Sequence, residues 1–211
     1  MPRSRRDKDS PWKDGFLFLG NHLTLDFLNT RPLQNGEPTE LLPDFPALLR
    51  WLHAAGLLNR VQVADLQRQW GESPSARRVT EALRDLRENL RKEVLRWQNG
   101  NDIHHSLIDE LNRLMAEHPM RTRLEGYGRK PRTKLYFKPQ SPEGLLAPLA
   151  HSAAMLFATA NRERVRKCEQ CVLHFLDTSK KGTRRWCSMQ LCGNRLKVAA
   201  YAARKRLVDV D

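Results

Sequence analysis

Apolar residues recur every three or four positions over much of the chain, in blocks separated by Gly, Pro and Asn, so helices dominate the reading. The first block, Phe16–Thr30 (FLFLGNHLTLDFLNT), is ambiguous. Leu23, Leu25 and Phe27 alternate as in a strand, while Leu19, Leu23, Phe27 and Leu28 fit a helix face. Arg31-Pro32 and Asn35-Gly36 mark a turn. Asp44–Leu58 predicts a helix capped by Asp44, with Pro46 in its first turn, Gly56 near its end and Phe45, Leu48, Leu49 and Leu52 inward. A shorter helix follows over Arg60–Trp70 and stops at Gly71.

Ser73-Pro74 opens the longest helix, which ends near Trp97 before Asn99-Gly100. Val79, Leu83, Leu86, Leu90, Val94 and Trp97 form one stripe. Its other faces, with Arg77, Glu81, Arg84, Asp85, Arg87, Glu88, Arg91 and Lys92, read as solvated, with weak pairs at Arg77/Glu81 and Glu88/Lys92. Asp102–His118 predicts a helix with Ile103, Leu107, Leu111 and Leu114 inward. Arg121–Leu124 and Thr133–Phe137 flank a Gly126/Gly128 loop and predict a β-hairpin. Pro142 starts another helix, whose core residues are Leu145, Leu146, Leu149, Ala153, Leu156 and Phe157. Asn161–Arg166 reads as a linker.

With 211 residues, 40% hydrophobic and 29% charged, the chain can bury a core and is not a disordered polymer. The uncharged stretch Gly144–Ala160 is 17 residues broken by Pro148, His151 and Ser152, which fits a core helix better than a membrane span. Residues 1–15 are polar and basic, and read as a disordered tail without the apolar run of a secretory signal. A cytoplasmic location follows as an expectation, and with it reduced cysteines.

The net charge of +13 sits mostly at one end. Arg162–Asp211 holds 13 basic and five acidic residues, against 24 and 19 in the rest. Such a balance suits nucleic acid, an anionic membrane surface or an acidic protein partner.

All four cysteines lie in that basic segment as Cys168, Cys171, Cys187 and Cys192, spaced C-x2-C-x15-C-x4-C. Two intervening residues let a tight turn aim both sulfurs of a pair at one point, and four thiolates make a closed, structural Zn²⁺ site. A redox Cys168/Cys171 pair and an iron–sulfur cluster are the competing uses; the βαβ context usual for a redox pair is missing. Zinc also answers a stability problem, because so short a segment buries too little apolar surface alone. Val172–Thr178 and Arg184–Cys187 read as a strand and its returning partner around a Ser179–Thr183 turn containing Gly182. A helix is expected from about Ser188 to about Leu207.

That helix sorts into two stripes. Met189, Cys192, Leu196, Ala199, Ala203 and Leu207 are expected to face the metal core. Gln190, Asn194, Lys197, Tyr201 and Arg204 form a polar stripe suited to a DNA groove. Lys180, Lys181, Arg184, Arg185 and Arg195 are candidates to grip phosphates, although Arg195 also suits a local network beside the metal.

The stretch FLDTSKKGTRRWCSMQLCGNRLKV resembles the CGNR zinc finger, whose tetrapeptide is Cys192, Gly193, Asn194 and Arg195 here. GNHLTLDFLNTR, Gly20 to Arg31, resembles the ABATE domain that commonly precedes that finger. The resemblance implies a bacterial stress-induced transcription regulator. It implies a treble-clef finger that binds DNA and an N-terminal α+β domain that senses a ligand. The zinc ligands carry over to Cys168, Cys171, Cys187 and Cys192. It names no ligand. Asp26, Asn29 and Thr30 either line a pocket or brace local structure, and short polar side chains favour bracing.

The seven histidines form no recognisable catalytic set. His104-His105 are adjacent on a helix and point apart, and no phosphate loop, HExxH or G-x-S-x-G occurs. The expectation is therefore a non-enzymatic α+β protein: a mostly helical sensor domain with a short hairpin over residues 16–160, then a treble-clef-like zinc finger over 162–211. DNA is the expected partner, with a small-molecule effector and a homodimer as further expectations and no membrane. RNA binding, with Tyr201 or Trp186 stacking on a base, is one alternative. A protein-interaction adaptor with a purely structural zinc is the other.

Overall fold

The computed structural model describes residues 11–34, 36–126 and 130–193. The chain begins with a hairpin of β1 (Trp12–Lys13) and β2 (Phe16–Leu17), followed by a short helix α1 (Leu23–Leu28) and a second hairpin of β3 (Leu33–Gln34) and β4 (Glu37–Pro38). Helices α2 (Phe45–Ala54), α3 (Arg60–Trp70), α4 (Pro74–Gln98) and α5 (His105–Glu117) come next. A third hairpin, β5 (Arg121–Glu125) and β6 (Arg132–Tyr136), is followed by a 3₁₀ turn at Pro142–Leu146 and by α6 (Ala147–Thr159). A 3₁₀ turn at Arg162–Arg164 leads into β7 (Val165–Lys167) and its partner β8 (His174–Leu176). The described chain ends in a π-helical turn at Met189–Gly193. Helices with small separate antiparallel hairpins make this an α+β protein.

The helix ends follow their capping residues. Asp44 accepts a hydrogen bond from the Ala47 N–H, Ser73 from Ala76, and Asn59 and Gln62 form a reciprocal capping box. The stripe on α4 is buried from Val79 to Val94 and packs with α1, α2 and the 3₁₀ turn before α6. Trp51 sits at the centre, 6.2 Å from the Phe18 ring and 5.7 Å from Phe27. Each such buried side chain contributes roughly 1.5–3 kcal/mol.

The structure resolves the ambiguous first block. Phe16–Leu17 is strand and Leu23–Leu28 is helix, because His22 caps the Thr24 N–H and Ser152 on α6 receives both the Thr24 amide and its hydroxyl contact. The disordered tail expected for residues 1–15 is corrected at its end: Trp12–Lys13 pair with Phe16–Leu17, and the Lys13 ammonium lies over the Phe18 ring. Residues 1–10 lie outside the described residues. The linker expected at Asn161–Arg166 is also structured. Val165 is buried in the main core, and β7 pairs with β8 because Val165 and Phe175 need apolar cover.

One charged position runs against the pattern. Arg87, expected on the solvated face of α4, is 1% exposed. Its guanidinium donates to Thr30 Oγ1 and to both carboxylate oxygens of Glu40. Glu88 pairs with Arg31, Arg87 and Arg91 rather than with Lys92.

Candidate metal centre and nucleic-acid interface

The two halves of the zinc site come from different local devices. Cys168 and Cys171 lie on the turn between β7 and β8, closed by the Cys168 N–H donating to the Leu173 carbonyl at 2.8 Å. Cys187 and Cys192 flank a turn in which Ser188 Oγ accepts from the Leu191 N–H. The four Sγ atoms lie within 4.8 Å of one another, with Cys171–Cys187 at 3.7 Å and Cys187–Cys192 at 3.5 Å. Zn–S bonds of about 2.3 Å in a tetrahedron place sulfurs about 3.8 Å apart, so the cluster fits one zinc ion. None of the four is in a disulfide.

The Cys171 and Cys187 thiols donate to Cys168 and hold its thiol well below its ordinary range. The same contact to Cys168 pushes Cys171 up to about 12 and Cys187 further up. A divalent cation favours the thiolate form of the sulfurs that bind it.

Beside the sulfurs lies a hydrogen-bonded turn around Asp177 that the cysteine spacing does not announce. The Asp177 carboxylate is buried and accepts from the Ser179 N–H (2.9 Å) and the Arg184 N–H (2.8 Å). Arg164 donates to the Asp177 and Ser179 carbonyls, and Arg166 to Gly182, whose φ of +65° the turn requires. The Asp-Thr-Ser tripeptide, an Asx-turn pattern, was the available signal. The expected pairing of Val172–Thr178 with Arg184–Cys187 is not formed. β8 pairs with β7, and residues 183–185 run as irregular chain tied to the knuckle by the Glu169 N–H and Arg185 carbonyl.

The expected phosphate grip divides. Lys180 and Lys181 lie on an exposed turn and carry no ion pair among the described residues. Arg184 points inward instead. Its guanidinium stacks over Phe175 with 4.3 Å to the centroid and donates to the Trp186 and Cys187 carbonyls, and burial lowers its pKa. Arg185 is exposed but forms a bidentate pair with Glu169 (2.8 and 2.6 Å) and lies over Trp186. Gln190 is exposed. Met189, expected to face the metal core, is 43% exposed, because the π turn rotates it outward while Leu191 packs against the cluster. Asn194, Arg195, Lys197, Tyr201 and Arg204, with the helix they were read on, lie outside the described residues.

The finger is fastened to the N-terminal domain. Asn29 brackets the His174 backbone, donating to its carbonyl at 2.9 Å and accepting from its N–H at 2.8 Å. The Leu176 N–H donates to the Gly20 carbonyl, and Asn21 to the Leu176 carbonyl. Leu17 and Leu19 pack in one cluster with Cys168, Cys187, Cys192 and Phe175. Asp26 accepts the Gly20 N–H, and a Cβ at Gly20 would lie 2.8 Å from the Asp26 nitrogen. Thr30 donates to the Phe27 carbonyl. Asp26, Asn29 and Thr30 of the Gly20–Arg31 motif therefore brace. Asn29→Ala leaves two buried backbone groups unpaired and is expected to cost about 2–4 kcal/mol in denaturant unfolding. A cost under about 0.5 kcal/mol would show that the bracket is incidental.

Comparison with known families follows this division. Residues 21–160 match the ABATE family, described as "putative stress-induced transcription regulator", and residues 164–205 match the CGNR zinc finger. No curated protein matches the chain. No helix among the described residues is long and apolar enough to cross a membrane.

Proposed function

Because the chain belongs to the ABATE family and carries a CGNR zinc finger directly behind that domain, we propose that it is a DNA-binding transcription regulator. In this reading the finger meets DNA, and the N-terminal domain tunes the contact in response to a small effector. The protein works in the cytoplasm, by binding and not by catalysis. One observation carries the reading: a basic finger is held by the Asn29 bracket against a domain of a regulator family. The zinc is structural, since four cysteines leave no open coordination position. The treble clef implied by the resemblance belongs to this proposal too, its helix lying beyond Gly193.

Lys180 and Lys181 are the phosphate contacts among the described residues, and Arg184 is not one of them. Lys180→Ala/Lys181→Ala should weaken duplex binding at every sequence tested and reduce the salt slope by about 1.8. Arg184→Ala should lose zinc-site order before it loses any phosphate contact.

The test is selection of the zinc-loaded chain on random duplex DNA at physiological salt, with structured RNA in parallel. Enrichment of one motif supports the regulator, and a two-fold symmetric motif supports a homodimer. Tighter binding to the RNA would replace DNA by RNA. No binding to either would leave the adaptor reading.

A further inference from the structure

A cavity of about 240 Å³ opens where the N-terminal domain meets the zinc knuckle. Its charged walls come from three places: Arg31 after α1, Glu88 and Arg91 on α4, and Lys167 beside Cys168. Three cations thus face one carboxylate. Glu88 is shared further, with Arg87 at 3.1 Å, Arg91 at 3.3 Å and Arg31 at only 3.5 Å. Arg91 is 17% exposed, and burial lowers its pKa. Such a surplus of positive charge around an open cavity favours a bound anion.

The remaining walls define which anion. Leu33, Pro38 and Leu95 make an apolar side opposite the cations. His174 also lines the cavity and is 1% exposed. Neither ring nitrogen has a well-formed hydrogen bond among the described residues, the Val172 backbone standing only loosely by. Both ring nitrogens are shut off from the opening, so the ring serves as wall and not as donor. Burial lowers His174 to about 3, so the ring is neutral and adds no charge to the site. Phosphate would leave its remaining oxygens without partners against the apolar wall, whereas a monocarboxylate satisfies the arginines and leaves an apolar body for Leu33 and Leu95. The volume equals roughly eight liquid waters, which sets a ligand of about ten heavy atoms.

We propose that this cavity binds a small monocarboxylic acid with an apolar body, and that the bound acid stiffens the seat of the zinc finger on the N-terminal domain. Both sides of the joint line it: Lys167 and Val172 adjoin Cys168 and Cys171, while Arg31 ends, and Leu33 follows, the motif that carries Asn29. The ligand class stands on the cavity alone. Only the coupling to DNA rests on the regulator reading, and by linkage it must be reciprocal.

The experiment is calorimetric titration of the full zinc-loaded chain, without DNA, with benzoate, phenylacetate and hexanoate. Benzamide serves as the neutral isostere and inorganic phosphate as the competing anion. At least one acid is expected to saturate at one per chain, at least tenfold tighter than benzamide or phosphate. Arg31→Gln/Lys167→Gln, both partly or fully exposed positions, should keep zinc content and weaken that acid at least tenfold. Leu95→Trp should abolish binding by filling the space without changing charge. The proposal falls if no acid saturates below about 10 mM, if phosphate binds tighter than every acid, or if the double variant binds as the parent does. Duplex affinity is then measured with and without the acid. An unchanged affinity overturns the coupling while leaving the site. Acid binding by a chain that binds no duplex overturns the regulator reading instead.

Discussion

Cys187→Ser is expected to drop zinc from one ion per chain towards zero and to unfold the finger. Cys187 is fully buried, 3.7 Å from Cys171 and 3.5 Å from Cys192. A serine oxygen is shorter, harder and ionises far less readily than a thiol, so it neither spans the distance nor supplies the charge. Structural zinc contributes on the order of 10 kcal/mol to small modules, more than the apolar cluster around it replaces. That cluster is small, holding Leu17, Leu19, Leu173 and Phe175 beside the sulfurs. The same variant therefore loosens the β1–β2 hairpin, whose Leu17 loses its cover. The helical signal of α2, α4 and α6 should survive, because their core centres on Trp51 and Leu83, away from the metal. Metal analysis with far-ultraviolet dichroism checks this. Full zinc content in the variant would refute the four-cysteine site.

Much of this was legible in the sequence because the signals were local. Capping residues and periodic stripes are statements about neighbours three or four apart, and α2, α3 and α4 begin where Asp44, Asn59 and Ser73 allow. The cysteine spacing is likewise local, and the knuckle forms as that spacing demands. What the sequence hid was set by contacts between distant segments. Nothing near Val165 announces that it pairs with Leu176 rather than serving as linker. Arg184 reads as one more surface cation until Phe175 and two carbonyls surround it. The Asn29 bracket joins positions 145 residues apart, so no window of the chain contains both partners. The cavity between α4, the β3–β4 segment and the knuckle is of the same kind, since each wall alone looks like ordinary surface.

Arg87 is the sharpest case, and it carries the second large effect. Arg87→Met is expected to cost about 3–5 kcal/mol, because it strips Glu40 and Thr30 of a buried partner. In a chain of this size that is a fall of about 10 °C in Tm. Burial by itself would raise the Glu40 carboxyl, but the Arg87 guanidinium, with the Leu42 N–H and Arg84, outweighs it and holds the group below its usual range. In the parent, a carboxyl so depressed adds stability that is full above its unfolded pKa and is lost as pH falls through the folded one. In the variant the Arg87 contribution is gone, and burial is opposed only by the Leu42 N–H and the charge of Arg84. The gap between parent and variant should therefore narrow on acidification below about pH 4. Replacing both partners, Glu40→Met/Arg87→Met, should cost less than the single change, since no charge is then left half-buried without a partner. A single variant within about 1 kcal/mol of the parent would mean that Arg87 behaves as the solvated residue its position in the helix pattern suggests.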